Sequence, residues 1–81
     1  QNYPNPFNPS TTISYSIPND GFVSLRIYNV LGQEIKSLVN QFQKSGNYKL
    51  MFDASNLPSG VYFYKIDANN FTQVKKMMLL K

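Results

Sequence analysis

Hydrophobic and polar residues alternate with a period of two along most of the chain, and that pattern predicts strands. Ile13, Tyr15 and Ile17 share one parity within 11–17, with Ser14 and Ser16 on the other. Pro18-Asn19-Asp20-Gly21 follows as a turn, with Gly21 expected to take a positive φ. Val23, Leu25 and Ile27 then alternate with Ser24, Arg26 and Tyr28, and Asn29-Val30-Leu31-Gly32 reads as a type I turn closed by a left-handed Gly32. From Gln33 to about Phe42 the parity breaks, because Ile35, Leu38, Val39 and Phe42 do not share one face. That spacing also fits a helical face. Turn signals on both flanks favour a strand that bulges or changes sheets.

After the turn Lys44-Ser45-Gly46-Asn47, Tyr48, Leu50 and Phe52 alternate with Lys49, Met51 and Asp53. Asp53-Ala54-Ser55-Asn56 is a polar connection, and Leu57-Pro58-Ser59-Gly60 fits a β-turn with Pro second and Gly fourth. Bulky groups on both faces of 61–66 predict a central strand covered on both sides. Asn69-Asn70 suits a two-residue hairpin loop before a last strand over 71–80. Six strands at intervals of roughly ten residues, with an extended N-terminal segment, predict an all-β, immunoglobulin-like antiparallel sandwich of about seven strands. One domain spans 1–81, with 1–10 a Pro-rich extended lead-in. Prolines 4, 6 and 9 stiffen that lead-in. Tyr3 and Phe7 are expected to dock onto the domain, since a solvated linker has no use for large aromatics.

Composition narrows the chemistry. The 81 residues hold six Tyr and six Phe but no Cys and no His. A core this small therefore draws on its aromatics for buried area, with no disulfide to help. Nucleophilic Ser-His or Cys-His sites and the usual zinc sites are excluded. The four acids, Asp20, Glu34, Asp53 and Asp67, are dispersed. Asp20 and Asp53 stand in turns, where binding backbone N–H groups is the ordinary role and a calcium site the less ordinary one. We expect no enzyme activity and no cofactor or metal. Net charge is +4, without the basic run that marks a nucleic-acid binder, and the longest apolar run, Met77 to Leu80, is far too short to span a bilayer. The chain begins at Gln1 without an initiator Met or signal peptide, which reads as a segment of a longer protein. Asn70-Phe71-Thr72 satisfies the glycosylation pattern, and a hairpin loop explains Asn70 equally well.

Two features have competing readings. Tyr28, Phe63 or Tyr64 could form an exposed stacking platform for sugars, or serve the core. Lys75 and Lys76 could be gatekeepers against edge-to-edge aggregation, or part of an address read by a partner. An open final edge would also permit weak self-association.

Four motifs, in order, bear on that choice: Tyr3-Pro4-Asn5-Pro6-Phe7-Asn8-Pro9; Ile27-Tyr28-Asn29-Val30-Leu31-Gly32-Gln33-Glu34; Leu57-Pro58-Ser59-Gly60-Val61-Tyr62; and Lys75-Lys76-Met77 with the trailing Leu79-Leu80-Lys81. Together they resemble the C-terminal sorting domain, type A, of cargo proteins of the Bacteroidetes-type (type IX, or Por) secretion system. The fold is similar to the Ig-like domain of flagellar hook-capping proteins, so fold likeness alone does not decide function.

The resemblance implies a non-catalytic signal that directs an upstream cargo, exported to the periplasm, through an outer-membrane translocon. A sortase-like cysteine peptidase then removes the domain in many members, and the cargo is attached to the cell surface or released. Recognition candidates carried over by motif are Pro4, Asn5, Pro6, Gly60, Tyr62, Lys75, Lys76, Leu79, Leu80 and Lys81. Gly60 and Tyr62 have structural roles open to them as well. Lys81, at an expected frayed end, would contribute little to folding. The rival readings are a carbohydrate-binding or adhesive sandwich and a spacer module.

Overall fold

Alternation in sequence becomes burial in space. The computed structural model describes residues 2–69 and 71–81. Ile13, Tyr15 and Ile17 are buried, as are Val23, Leu25 and Ile27. Seven strands run in order: β1 (Asn2–Tyr3), β2 (Ser10–Ile17), β3 (Gly21–Tyr28), β4 (Glu34–Gln43), β5 (Gly46–Asp53), β6 (Gly60–Ala68) and β7 (Phe71–Leu79). They form a three-stranded sheet, β1-β2-β5, and a four-stranded sheet, β4-β3-β6-β7, with every strand pair antiparallel. The inward rows of both sheets make one apolar core. This is the expected all-β sandwich.

The irregular 33–42 stretch is a strand, and bulges explain its broken parity. Along β3, Leu25 pairs with Val39 but Arg26 pairs with Ser37, and Ile27 pairs with Lys36 but Tyr28 pairs with Glu34. Leu38 and Ile35 are the residues skipped, and both pack against the core. Two bulges thus let residues of opposite parity reach the same apolar face.

Several details depart from expectation. Gly21 does not adopt a positive φ. It is glycine because a Cβ there would stand 2.2 Å from Asn69 Oδ1, where the Asn69 carboxamide closes over the turn and donates to the Asp20 carbonyl at 3.0 Å. The hydrogen-bonded turn before β6 is 54–57, with Leu57 N–H donating to Ala54 C=O at 3.0 Å, rather than 57–60. β6 is central in its sheet, yet only one face is covered. Tyr62, Tyr64, Ile66 and Ala68 are buried, while Val61, Phe63, Lys65 and Asp67 are half-buried on the outer face, which no second layer of the described residues covers. Tyr64 is fully buried, so it is no sugar platform. Asn70, with its loop and glycosylation readings, lies outside the described residues; Asn69 beside it has φ 53°.

The Pro-rich lead-in is built into the sandwich. β1 pairs with β2, and the buried Asn2 donates to Thr11 Oγ1 at 3.1 Å. Alternation then turns Tyr3 outward, 82% exposed, against the expectation that it docks. The bonds before Pro4, Pro6 and Pro9 are cis. Phe7 does dock, at 2% exposure, with its ring 6.2 Å from that of Phe52.

Candidate functional site

One pole of the sandwich gathers all four motifs, because antiparallel pairing brings the required ends together. β3 ends there at Tyr28, β6 begins there at Gly60, and β7 ends there with Leu79 opposite Gly60. β2 begins there at Ser10 opposite Asp53. The other pole carries 18–21, 44–46 and 68–69.

The first and last motifs are joined through main-chain groups. Phe7 N–H donates to Met78 C=O at 2.9 Å, Leu80 N–H donates to Phe7 C=O at 3.0 Å, and Phe7 and Leu79 form a parallel bridge. Asn5 extends this contact with its side chain. Met78 N–H donates to Asn5 Oδ1 at 3.0 Å, and Asn5 Nδ2 donates to Lys76 C=O at 3.2 Å. Pro4 is held by its carbonyl, which accepts from Thr11 Oγ1 at 2.8 Å and Asn2 Nδ2 at 3.2 Å. Residues 76–80 of the β7 edge are therefore covered within the chain, and strand addition at that stretch is closed. This corrects the expectation of an open final edge there.

The third motif clasps the fourth. Tyr62, 5% exposed, donates its hydroxyl to Pro58 C=O at 2.7 Å and stands opposite Met77. Tyr62 thus anchors the 54–60 connection from beneath. Gly60 is exposed at φ 156°, a conformation costly to a side chain, as it opens β6. Lys81 is not frayed: its N–H donates to Ser59 Oγ at 3.0 Å and its Nζ to Ser55 C=O at 2.6 Å. Ser55 in turn donates N–H, at 3.0 Å, and hydroxyl to Asp53 Oδ1. Those bonds, the hydroxyl's first, hold the Asp53 carboxyl below the usual range, with smaller help from the charges of Lys36 and Lys81.

The candidate residues divide by exposure. Pro4, Asn5, Pro6, Gly60, Lys76, Leu80 and Lys81 face solvent, and Lys75 is half-buried at the edge with the parity of the inner face. Leu79 is fully buried and Tyr62 nearly so, so neither presents a side chain to a partner in the folded domain. Residues that sequence reasoning did not select complete the pole. Val30 and Leu31 are 66% and 79% exposed at the tip of the second motif. With Ile35, Leu57 and Pro58 they line an apolar groove of about 430 Å³. Asn29 shapes that tip, its Oδ1 accepting from Leu31 and Gln33 N–H at 3.0 Å each. Two apolar residues at the centre of a turn were the signal available for them.

Among the described residues no cluster of three or more acids, His or Cys could hold a metal, and no helix is long and apolar enough to cross a membrane. No curated protein matches the chain. The model of one family, described as a secretion system C-terminal sorting domain, matches residues 1–80. A domain of that family is the sorting signal of an exported type IX cargo, and implies that secretion system and an upstream cargo. With its motifs gathered on one pole and the family model spanning nearly its whole length, the chain belongs to the type IX secretion system C-terminal sorting domains.

Proposed function

We propose that the outer-membrane translocon reads this pole as a folded surface, and that the 81 residues act as one unit in presenting it. The carrying observation is that Asn5 and Phe7 bond to residues 76–80. The N-terminal motif and the basic tail thereby form one continuous surface. In this reading the outward groups, Pro4, Asn5, Pro6, Gly60, Lys76, Leu80 and Lys81, supply contacts, with the half-buried Lys75 beside them at the edge. Tyr62 and Leu79 position them from within. The domain works without catalysis of its own, consistent with a chain that has neither His nor Cys. The cargo passes through the periplasm to the cell surface, where a sortase-like peptidase cuts upstream of the domain.

A reporter behind a signal peptide, followed by these 81 residues, tests this in a host with the secretion system. Reporter in the medium or at the surface is the expected result. Retention in the periplasm with the domain intact would overturn the reading.

A further inference from the structure

β5 closes one side of its sheet, β1-β2-β5, and among the described residues no strand pairs with its outer edge. The main chain says which groups that edge offers. Ala54 N–H donates to Pro9 C=O at 2.9 Å, continuing the register in which Asp53 stands opposite Ser10 and Phe52 opposite Thr11. In an antiparallel pair, residues that bond their partner alternate with residues that do not. Counted back from Ala54, residues 52, 50, 48 and 46 bond β2, so residues 47, 49, 51 and 53 turn their N–H and C=O groups outward. Pairing with β2 runs unbroken along the whole of β5, whereas β4, an edge of the other sheet, carries two bulges. A straight edge of this kind accepts another strand through main-chain hydrogen bonds.

The side chains on that edge say which strand fits. Lys49, Met51 and Asp53 lie on the outer face of β5 and all are exposed, Met51 at 69%. A lone lysine on an edge strand repels a second strand. Here an acid follows it on the same face, so the row read backwards carries the opposite signs. We infer that two copies of this chain pair through β5, antiparallel about a two-fold axis at Met51, and join their three-stranded sheets into one. In that register Lys49 stands opposite the partner's Asp53, Asp53 opposite the partner's Lys49, and Met51 opposite the partner's Met51. All are among the outward-turned residues, so each of these pairs exchanges two main-chain bonds. An axis at Leu50 would set Lys49 opposite a methionine, and an axis at Lys49 would set two lysines against each other. Directly opposed unlike charges favour the first register and like charges disfavour the last. On the inner face Leu50 packs against the core yet stays half-buried, and a strand laid along this edge covers it. The motif pole stays open. Residues 44–45 lead from β4 into β5, so β7, at the other edge of its sheet from β4, lies on the far side of the molecule. Antiparallel pairing also turns the two motif poles to opposite ends of the dimer.

Sedimentation and disulfide trapping of the full cargo–domain chain test the pairing. A strand pair this short makes a small interface, and we expect a dissociation constant on the order of 100 μM. The 81 residues contain no Cys, so a cargo background free of cysteines allows one Cys per chain. Met51→Cys should form intermolecular disulfides about tenfold faster than Asn47→Cys or Val74→Cys, because only residues at the axis meet their own copies. Lys49→Glu sets two acids opposite each other and should weaken association about tenfold; Asp53→Lys sets two lysines opposite and should do the same. Mixed in equal amounts, those two variants present unlike charges at both pairs and should associate with near-native affinity. A chain that stays monomeric at millimolar concentration, equal disulfide rates at the three positions, or association unaffected by Lys49→Glu would each overturn the inference. So would folded charge variants that fail to associate when mixed. Met51→Cys and Lys49→Glu leave the Asp53–Ser55 bonds in place, so they decide the matter even if Asp53→Lys does not fold. Association through the cargo alone would give equal disulfide rates. None of these readouts involves export, which tests the sorting reading separately.

Discussion

Asn5 and Met78 stand 73 positions apart, and Met78 donates its backbone N–H to the Asn5 side-chain oxygen at 3.0 Å. The same carboxamide donates to the carbonyl of Lys76. A primary amide offers the donor and acceptor of a peptide group, so Asn5 serves as one rung of a β-ladder without being in a strand. Phe7 supplies the next rung, at Leu80. A proline-punctuated segment thereby seals the C-terminal half of an edge strand that would otherwise invite pairing.

Asn5→Ala removes both hydrogen bonds at a solvent-exposed site. We expect a loss of about 1 kcal/mol in unfolding free energy, read from denaturant midpoints at unchanged slope. Exchange at the Met78 amide should rise while amides of β3 stay protected. An unchanged Met78 rate would show that the contact is not formed in solution.

Phe7→Ala acts on packing. The side chain is buried against Phe52, and truncating a buried Phe costs about 3–5 kcal/mol. A domain of this size has little more than that to spare. Thermal denaturation should show a much lower midpoint or no cooperative transition. A shift of only a few degrees would place Phe7 outside the core.

Tyr64 sets an alkaline limit. Burial without a hydrogen-bond partner pushes its phenol up to about 12 from the ordinary 10.0. The folded state therefore keeps a proton that the unfolded state gives up. Stability is intact below about pH 10 and falls by about 1.4 kcal/mol per unit as pH rises towards 12. Tyr15, raised chiefly by burial, adds to the same trend. Tyr64→Phe should flatten the slope in denaturation curves taken across that range, and gain stability at neutral pH by losing an unpaired hydroxyl. An unaltered slope would contradict this account.

Charge on the read surface should separate from stability. Lys76 and Lys81 are exposed, and Lys81 Nζ donates to the Ser55 carbonyl. Lys76→Glu with Lys81→Glu should move the thermal midpoint by only a few degrees, as surface charges usually do. Export of a fused reporter should fall severalfold. Export unchanged by the reversal would remove these lysines from the recognised surface.

The strands and core were legible because a period of two is written residue by residue, as at Ile13-Tyr15-Ile17 and Val23-Leu25-Ile27. Even the broken parity at Ile35 and Leu38 announced its bulges. The lead-in was less legible. Prolines interrupt alternation, so nothing local told Tyr3, which faces solvent, from Phe7, which is buried. The motifs could be named in sequence, but not their assembly. A side chain at position 5 bonding main chain at 76 and 78 depends on strand order, which alternation does not encode. Lys81 was misjudged for the same reason, since its partners, Ser55 and Ser59, lie in another connection.

The most direct test of a folded signal separates the pole from its tail. Three reporters would be compared in a host with the secretion system: one carrying residues 1–81, one carrying Phe7→Ala in that domain, and one carrying residues 75–81 alone. The account expects export of the first only, with the other two retained in the periplasm. Export by residues 75–81 alone, at the level of the whole domain, would contradict it.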